Sequence, residues 1–306
     1  MMKPLYIWAG GKNKMIPKYR VNPSIPYSGY DTFVEPFFGG GAMMIHIYEN
    51  APQVKRFVLN DINPEIVGIY TAIKTDLVAF LDRMDNLSAQ YLPLNKDLRK
   101  KFYYALRDQY TTKWTQWNGT DEAATLYFLM KTAFNGIWQT TQNSNGRFAT
   151  PSGLLNQKTS VYDRANVIEW HQFLQRVDIH CGPWQNCVDK IDERAFYFFD
   201  PPYRDSFTSY AQSFDDSAHI ELIEYCKIVD EEGHIVFYCN RDAGDTFYTD
   251  LQDDLAIAYY DVTYTAGRRA TEDDGARTAK SAREILLYSK SVVPQAAPKD
   301  LLFVTA

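Results

Sequence analysis

The sequence predicts an α/β chain whose parallel sheet is opened near residue 66 by a mainly helical insert and resumes at about residue 166. Three observations carry this reading. Residues 31–48 run from a strand through a glycine turn into a helix, residues 66–110 and 123–134 carry helical periodicity, and short apolar strand-like runs return from Val177 onward. The implied organisation is a catalytic domain from residues 1–65 and 166–292, an insert over residues 66–165, and a C-terminal tail over residues 293–306.

Asp31 to Pro36 form a short extended run, followed by Phe37, Phe38, three glycines and an apolar helical run from Ala42 to Tyr48. Val54 to Leu59 form a second strand that ends on Asn60-Asp61, and Pro64 suits the first turn of the next helix. Two parallel strands around a helix are implied. Leu77, Phe80, Leu81 and Met84 then fall at three- and four-residue steps, as one face of a helix requires. After Asn118-Gly119 the spacing predicts a helix from Ala123 to Phe134, then a polar stretch from Asn135 to Gly153. No short strand–helix connection needs so long an excursion. The later strands are expected at 177–180, 195–199, 234–238, 257–260 and 285–288, with a helix at 217–229.

A chain of 306 residues buries a full core without staples, and 45% hydrophobic with 23% charged residues is the balance of a soluble globular protein. The N-terminus lacks a long apolar core, and no stretch approaches 18 apolar residues, so a cytoplasmic, membrane-free protein is expected. Four cysteines and five histidines are scattered too irregularly for a disulfide framework or a metal site. The net charge of −6 excludes a surface that coats nucleic acid throughout. Local basic faces remain: Lys96, Arg99, Lys100, Lys101, Arg107 and Lys113 crowd one stretch, and Arg268, Arg269, Arg277, Lys280 and Arg283 another.

A strand that runs into Gly39-Gly40-Gly41 and a helix lets backbone approach a ligand closely, since glycine has no Cβ. About twenty residues on, Asp61 ends the next strand, where a carboxylate can accept hydrogen bonds from ribose hydroxyls. Together these describe a nucleoside-bearing cofactor. The spacing is neither GxGxxG nor GxxxxGK[ST], which argues against a dinucleotide or a P-loop nucleotide. Trp8-Ala9-Gly10-Gly11-Lys12 offers a second flexible turn with an aromatic plate and a cation.

The apolar run Phe196 to Phe199 ends abruptly in Asp200-Pro201-Pro202-Tyr203, at the carboxyl end of a strand, where open α/β sheets bind ligands. Two prolines remove backbone donors and stiffen the chain, leaving carbonyls to accept bonds from a ligand. Asp200 adds a carboxylate and Tyr203 an aromatic face. These are the parts needed to alkylate a heteroaromatic amine, whose lone pair is delocalised and whose amino hydrogens must be held by acceptors as positive charge develops. In-line displacement then needs mainly positioning.

In their order these pieces resemble the Dam-like, D12-class adenine-specific DNA methyltransferases. The matching segments are Trp8 to Lys12, Glu35 to Gly41, Asn60 to Asn63, Phe134 to Gly136, Asn145 to Phe148 with Pro151 and Gly153, Asp200 to Tyr203, and Arg283 to Leu286. The resemblance implies a Rossmann-like S-adenosylmethionine-dependent methyltransferase sheet with an inserted, mainly helical DNA-recognition domain. It implies S-adenosylmethionine as cofactor and double-stranded DNA as partner; no metal is expected from the scattered Cys and His, and a monomer or weak dimer is the default expectation. Trp8, Gly10, Lys12, Glu35, Pro36, Phe37, Gly39, Gly41, Asp61, Cys181, Trp184 and Asp200 would lie around the cofactor. Asp200, Pro201, Pro202 and Tyr203 would handle an adenine turned out of the duplex.

Two departures stand out. Where the family usually carries an Asp-Phe pair touching the cofactor's adenine, this chain reads Gly182-Pro183-Trp184, so that the acidic contact is missing. Where many relatives carry an Arg after the Asn-Gly pair, this chain reads Ile137 to Asn143, and Gln139 and Asn143, with Asn135, suit adenine edges. A different recognition sequence is expected. Arg147, Lys158, Arg268 and Arg269 are assigned to phosphates, which position a duplex without reading it. Cytosine or RNA adenine as acceptor, an inactive DNA-binding module, and a nicotinamide oxidoreductase are the rival readings.

Overall fold

The computed structural model describes residues 1–8, 10–113, 117–136, 138–144, 146–153, 159–188, 191, 193–204, 214–264, 270–271, 277–278 and 280–292. It is a mixed α/β fold with a seven-stranded sheet. The chain forms two units, residues 1–12 with 34–190 and residues 13–33 with 191–306. A short α1 (Ile16–Tyr19) belongs to the second unit and precedes β1 (Thr32–Glu35), whose end opens the first.

In the first unit β1 leads through the glycine turn into α2 (Ala42–Asn50), and β2 (Arg56–Asp61) lies between β1 and β3 (Val177–Cys181). β2 and β3 are parallel, with Asp61 opposite Cys181. The helical run read as continuous from residue 66 to 110 is three helices: α3 (Pro64–Thr75), α4 (Leu77–Tyr91) and α5 (Lys96–Lys113). Asp76 makes the first break. Its backbone is non-helical, its carboxylate accepts from Ala79 N at 3.3 Å, and its own N–H closes α3 on Ala72 O. α6 (Gly119–Thr132) starts on an Asn118 cap and packs against α3, α4 and α5, so it is buried almost all round. α7 (Arg164–Leu174) returns the chain to the sheet and packs against β3. Phe38, Tyr70 and Trp170 pack together, Phe38 edge-to-face on Tyr70 with centroids at 4.9 Å and Tyr70 tilted against Trp170 at 5.2 Å.

In the second unit every residue of β4 (Ala195–Phe199) is buried, as the unbroken apolar run predicts for a central strand. α8 (Asp216–Glu231), capped by Asp215, connects it to the parallel β5 (Ile235–Arg241). After α9 (Phe247–Leu251) come β6 (Ala256–Tyr264), the two-residue pair β7 (Ala270–Thr271) and β8 (Arg277–Thr278), and β9 (Lys280–Tyr288). β9 lies between β5 and β6 and is antiparallel to both, a direction that apolar runs alone do not encode.

A pH effect follows from the start of β4. Ala195 N donates to His234 Nδ1 at 3.0 Å, which requires a lone pair on that nitrogen, and burial, with Arg194 nearby, holds the imidazole pKa below its ordinary value. The neutral ring's contribution to stability is therefore complete above about pH 6.5 and is lost as pH falls through the depressed folded value. Thermal melts between pH 7.5 and 5, on the order of the usual working range, are expected to show a decline that His234→Gln flattens. Equal slopes in both proteins would refute it.

Candidate active site

The glycine turn is built by three residues that leave no room for side chains. Gly39 and Gly41 adopt φ of +50° and +64°, and a Cβ on them would stand 2.5 Å from Trp8 Nε1 and 2.2 Å from the Phe38 ring. Glycine is thus required here by conformation and by contact. Phe38 is buried in the core, whereas Phe37 is half-buried. Glu35, buried at the end of β1, accepts from Met44 N at 3.1 Å and so caps α2 from the strand.

Asp61 holds the turn. Its Oδ2 accepts from Gly39 N and its Oδ1 from Asn63 N, both at 2.9 Å. Burial pushes the carboxyl up from its ordinary value, and the N–H groups of Asn63, Gly39 and Ile62 oppose that rise by favouring the anion. A carboxylate has about four lone-pair sites, more than these three N–H groups occupy, which leaves room for a ligand hydroxyl. Beside it Asn60, which the sequence did not single out as a site residue, donates through Nδ2 to Pro36 O and Gly182 O, each at 3.0 Å. The ends of β1, β2 and β3 are thereby fixed to one another. Tyr6 is a second such residue: its buried hydroxyl donates to Gly39 O at 2.9 Å. An Asn before an acid and a Tyr two residues before Trp8 are too common to stand out in a sequence.

The N-terminal turn lies in the same unit. Trp8 is half-buried, with its indole against Gly39 and 6.3 Å from the Trp138 ring. Gly10 is exposed, whereas Lys12 is buried with Nζ 3.5 Å from Gly10 O. Pro36 is buried. Cys181 at the end of β3 is exposed, and Trp184 opens a 3-10 turn with its side chain buried. The structure thus brings Trp8, Gly39, Gly41, Glu35, Pro36, Phe37 and Asp61 to one end of the strands.

In the second unit, Asp200 follows the last residue of β4 and is half-buried. The thiol of Cys239 on β5 approaches Asp200 Oδ1 at 3.5 Å and Phe199 O at 3.4 Å. Asn240 braces the tetrapeptide from β5: Nδ2 donates to Pro202 O at 3.3 Å and Oδ1 accepts from Arg204 N at 3.0 Å. Tyr203 donates its hydroxyl to Glu284 Oε1 at 2.9 Å. Arg204 then closes the segment, its guanidinium on Asp216 at 2.7 Å and Asp245 at 2.6 Å and 4.0 Å from the Phe247 ring centroid. The prolines stiffen the segment, and these partners give it one position.

The residues assigned to DNA are less uniform. Asn135 and Gln139 are exposed, and Asn135 adopts φ of +54° just before Gly136 at +61°. Asn143 lies in the turn Gln142–Ser144. Lys158, Arg268 and Arg269 lie outside the described residues. Lys96, Lys100 and Lys101 are exposed on α5, whereas Arg107 donates to Ala149 O at 3.2 Å.

Arg147 has internal partners. Its guanidinium pairs with Glu122 and, at 3.3 Å, with Glu65, and lies 4.4 Å from the Tyr110 ring centroid, with 12% of the side chain exposed. A phosphate would have to displace both carboxylates. Arg147→Ala is expected to destabilise the fold by about 3 kcal/mol, because two largely buried acids lose their counter-charge. Urea unfolding measures this, and a loss under about 0.5 kcal/mol, the ordinary range for a surface change, would contradict it.

Among the described residues no helix is long and apolar enough to cross a membrane, and no group of three or more His, Cys, Asp or Glu is placed to hold a metal ion.

Residues 8–265 match the family model described as D12 class N6 adenine-specific DNA methyltransferase. The chain is similar to the type II methyltransferase M.MjaIII of Methanocaldococcus jannaschii, with 29% identity across 76% of this chain and 82% of the relative. It is similar to the type II methyltransferase M.CviBI of Paramecium bursaria Chlorella virus NC1A, with 30% identity across 74% and 79%. The DNA adenine methylase of Vibrio cholerae is 26% identical across 78% and 81%. Matched from Trp8 through Asp61 and the Asp200 tetrapeptide into β6, the chain belongs to the D12 class N6 adenine-specific DNA methyltransferase family.

Proposed function

We propose that this DNA adenine methyltransferase moves a methyl group from S-adenosylmethionine to the exocyclic amino group of adenine within a specific double-stranded DNA sequence. The observation that carries the reading is the Asp200-Pro201-Pro202-Tyr203 segment at the end of a fully buried strand, braced by Asn240 and Glu284.

The first unit fits the cofactor. A glycine turn with no space for a Cβ, the N-terminus of the nine-residue α2, and a buried carboxylate oriented by two backbone N–H groups suit a nucleoside carrying an anionic tail. Asp61 would accept from ribose hydroxyls, Trp8 and Phe37 would supply apolar faces, and Gly39 and Gly41 would allow close approach. Lys12 would offer a positive charge, Gly10 would keep its turn open, and Cys181 with Trp184 would border the base. Glu35 and Pro36 act by holding the turn. When bound, the cofactor supplies an electrophilic sulfonium methyl.

The chain's own residues prepare the acceptor. The amino nitrogen of adenine is a poor nucleophile, and the Asp200 carboxylate with a carbonyl of the proline pair would hold its two hydrogens and stabilise the charge that develops. Tyr203 would stack on the base, which must leave the duplex to reach these groups. An ordinary carboxylate is a weak base near neutrality, so Asp200 acts mainly as acceptor and orienter. Residues 66–165 form the target-recognition insert in this reading, where Asn135, Gln139 and Asn143 would meet base edges and Lys158 phosphates, and Arg268 and Arg269 of the catalytic domain would also meet phosphates.

The test is incubation of purified protein with methyl-labelled S-adenosylmethionine and unmodified DNA, digestion to nucleosides, and identification of the labelled base. Label in N6-methyladenine is expected. Label confined to cytosine or to RNA would overturn the acceptor, and no binding of the cofactor would overturn the reading as a whole.

A further inference from the structure

Stacking on a flipped base needs only an aromatic face, which a phenylalanine would provide at no desolvation cost. The hydroxyl of Tyr203 therefore calls for its own explanation. Its partner is the Glu284 carboxylate, carried on β9 at 2% exposure. A carboxylate so deeply placed costs free energy unless its oxygens are matched by donors, and the Tyr203 hydroxyl is one such donor. The phenol of Tyr19 is buried in the same neighbourhood. Burial pushes its pKa well up, and Cys239, Glu284 and Asp200 are close enough to add to the rise.

A tyrosine ring moves about two side-chain torsions. Here its backbone end is tied by the two prolines and by the Asn240 contacts to Pro202 O and Arg204 N, and its far end is tied by Glu284. Fixing both ends removes the torsional freedom that a phenylalanine at this place would keep, and the entropy is lost before the base arrives. We propose that Glu284 is a positioning residue for methyl transfer, holding the Tyr203 ring through its hydroxyl in the orientation that receives the target base. The proposal rests on the adenine methyltransferase reading given above.

The test compares Tyr203→Phe, Glu284→Ala, Glu284→Gln and the double variant Tyr203→Phe with Glu284→Ala in the full-length protein. Tyr203→Phe and Glu284→Ala are each expected to lower kcat by about tenfold, with cofactor affinity unchanged, since each removes one charge-assisted hydrogen bond. The double variant should be no worse than either single one, because both remove the same contact. Glu284→Gln keeps an acceptor oxygen and should stay within about threefold of the parent. Tyr203→Phe leaves every β9 residue in place, so a folding defect in Glu284→Ala does not decide the outcome. Wild-type kcat in Tyr203→Phe, or losses that multiply in the double variant, would overturn the positioning role while leaving the methyltransferase reading intact. Absence of adenine methylation by the parent protein would instead sink that reading itself.

Discussion

Asp200→Ala is expected to lower methyl transfer by about 10²–10³-fold while leaving the fold close to that of the parent. Asp200 is half-buried at the end of β4, beyond the last core residue Phe199, so truncation opens no core cavity. Its Oδ1 is approached by the Cys239 thiol, a weak donor whose loss costs little. The carboxylate's value is electrostatic: it is fixed in place before the amino nitrogen becomes positive. Removing one such preorganised group costs about 10²–10³-fold in kcat, and a full negative charge belongs at the upper end. Single-turnover labelling with saturating cofactor measures this. Asp200→Asn, which keeps one acceptor oxygen and loses the charge, is expected to fall between the two. A turnover within tenfold of wild type for Asp200→Ala would remove Asp200 from the chemistry.

Asp61→Ala is expected to weaken S-adenosylmethionine binding by about 100-fold, since hydrogen bonds to a charged group are each worth about 1.5–3 kcal/mol and this carboxylate makes several. It would lose the ribose acceptor and release Gly39 N and Asn63 N, the two ties that shape the glycine turn. Titration of cofactor against intrinsic tryptophan fluorescence measures the change, because Trp8 lies against Gly39. An affinity within twofold would refute the assignment. The pH dependence has a fixed sign. Burial raises this carboxyl, so affinity is expected to fall with decreasing pH sooner than an ordinary carboxylate would allow. Over that same window protonation of Asp61 favours the folded state, since its folded pKa lies above the unfolded one. Protonation of Asp61 therefore weakens binding without itself weakening the fold.

Much of this was legible because the chemistry is local. Asp200 to Tyr203 are contiguous, and Gly39 to Gly41 sit between a strand and a helix whose apolar patterns identify them. Asp61 was found by its place at the end of the next strand. The breaks within residues 66–110 were harder, since Asp76 ends one helix and caps the next within a single residue, and the apolar period continues across it. Arg147 shows the opposite limit: a cation near a polar loop reads as a phosphate contact until Glu65 and Glu122, far off in sequence, are seen on its guanidinium.

By itself the sequence determined the α/β class and the order of its parts, and it singled out the two turns, with their carboxylates, that are proposed to meet cofactor and base. Those features depend on residue type and on neighbours within a few positions, where glycine conformation, proline geometry and apolar period act directly. Tertiary structure alone decided which distant residues hold those turns in place. Asn60 to Gly182, Tyr6 to Gly39, Asn240 to Pro202 and Tyr203 to Glu284 join positions separated by 33 to 122 residues. The physical reason is that a buried polar group must find a partner wherever the fold brings one, and sequence separation places no limit on where that partner is.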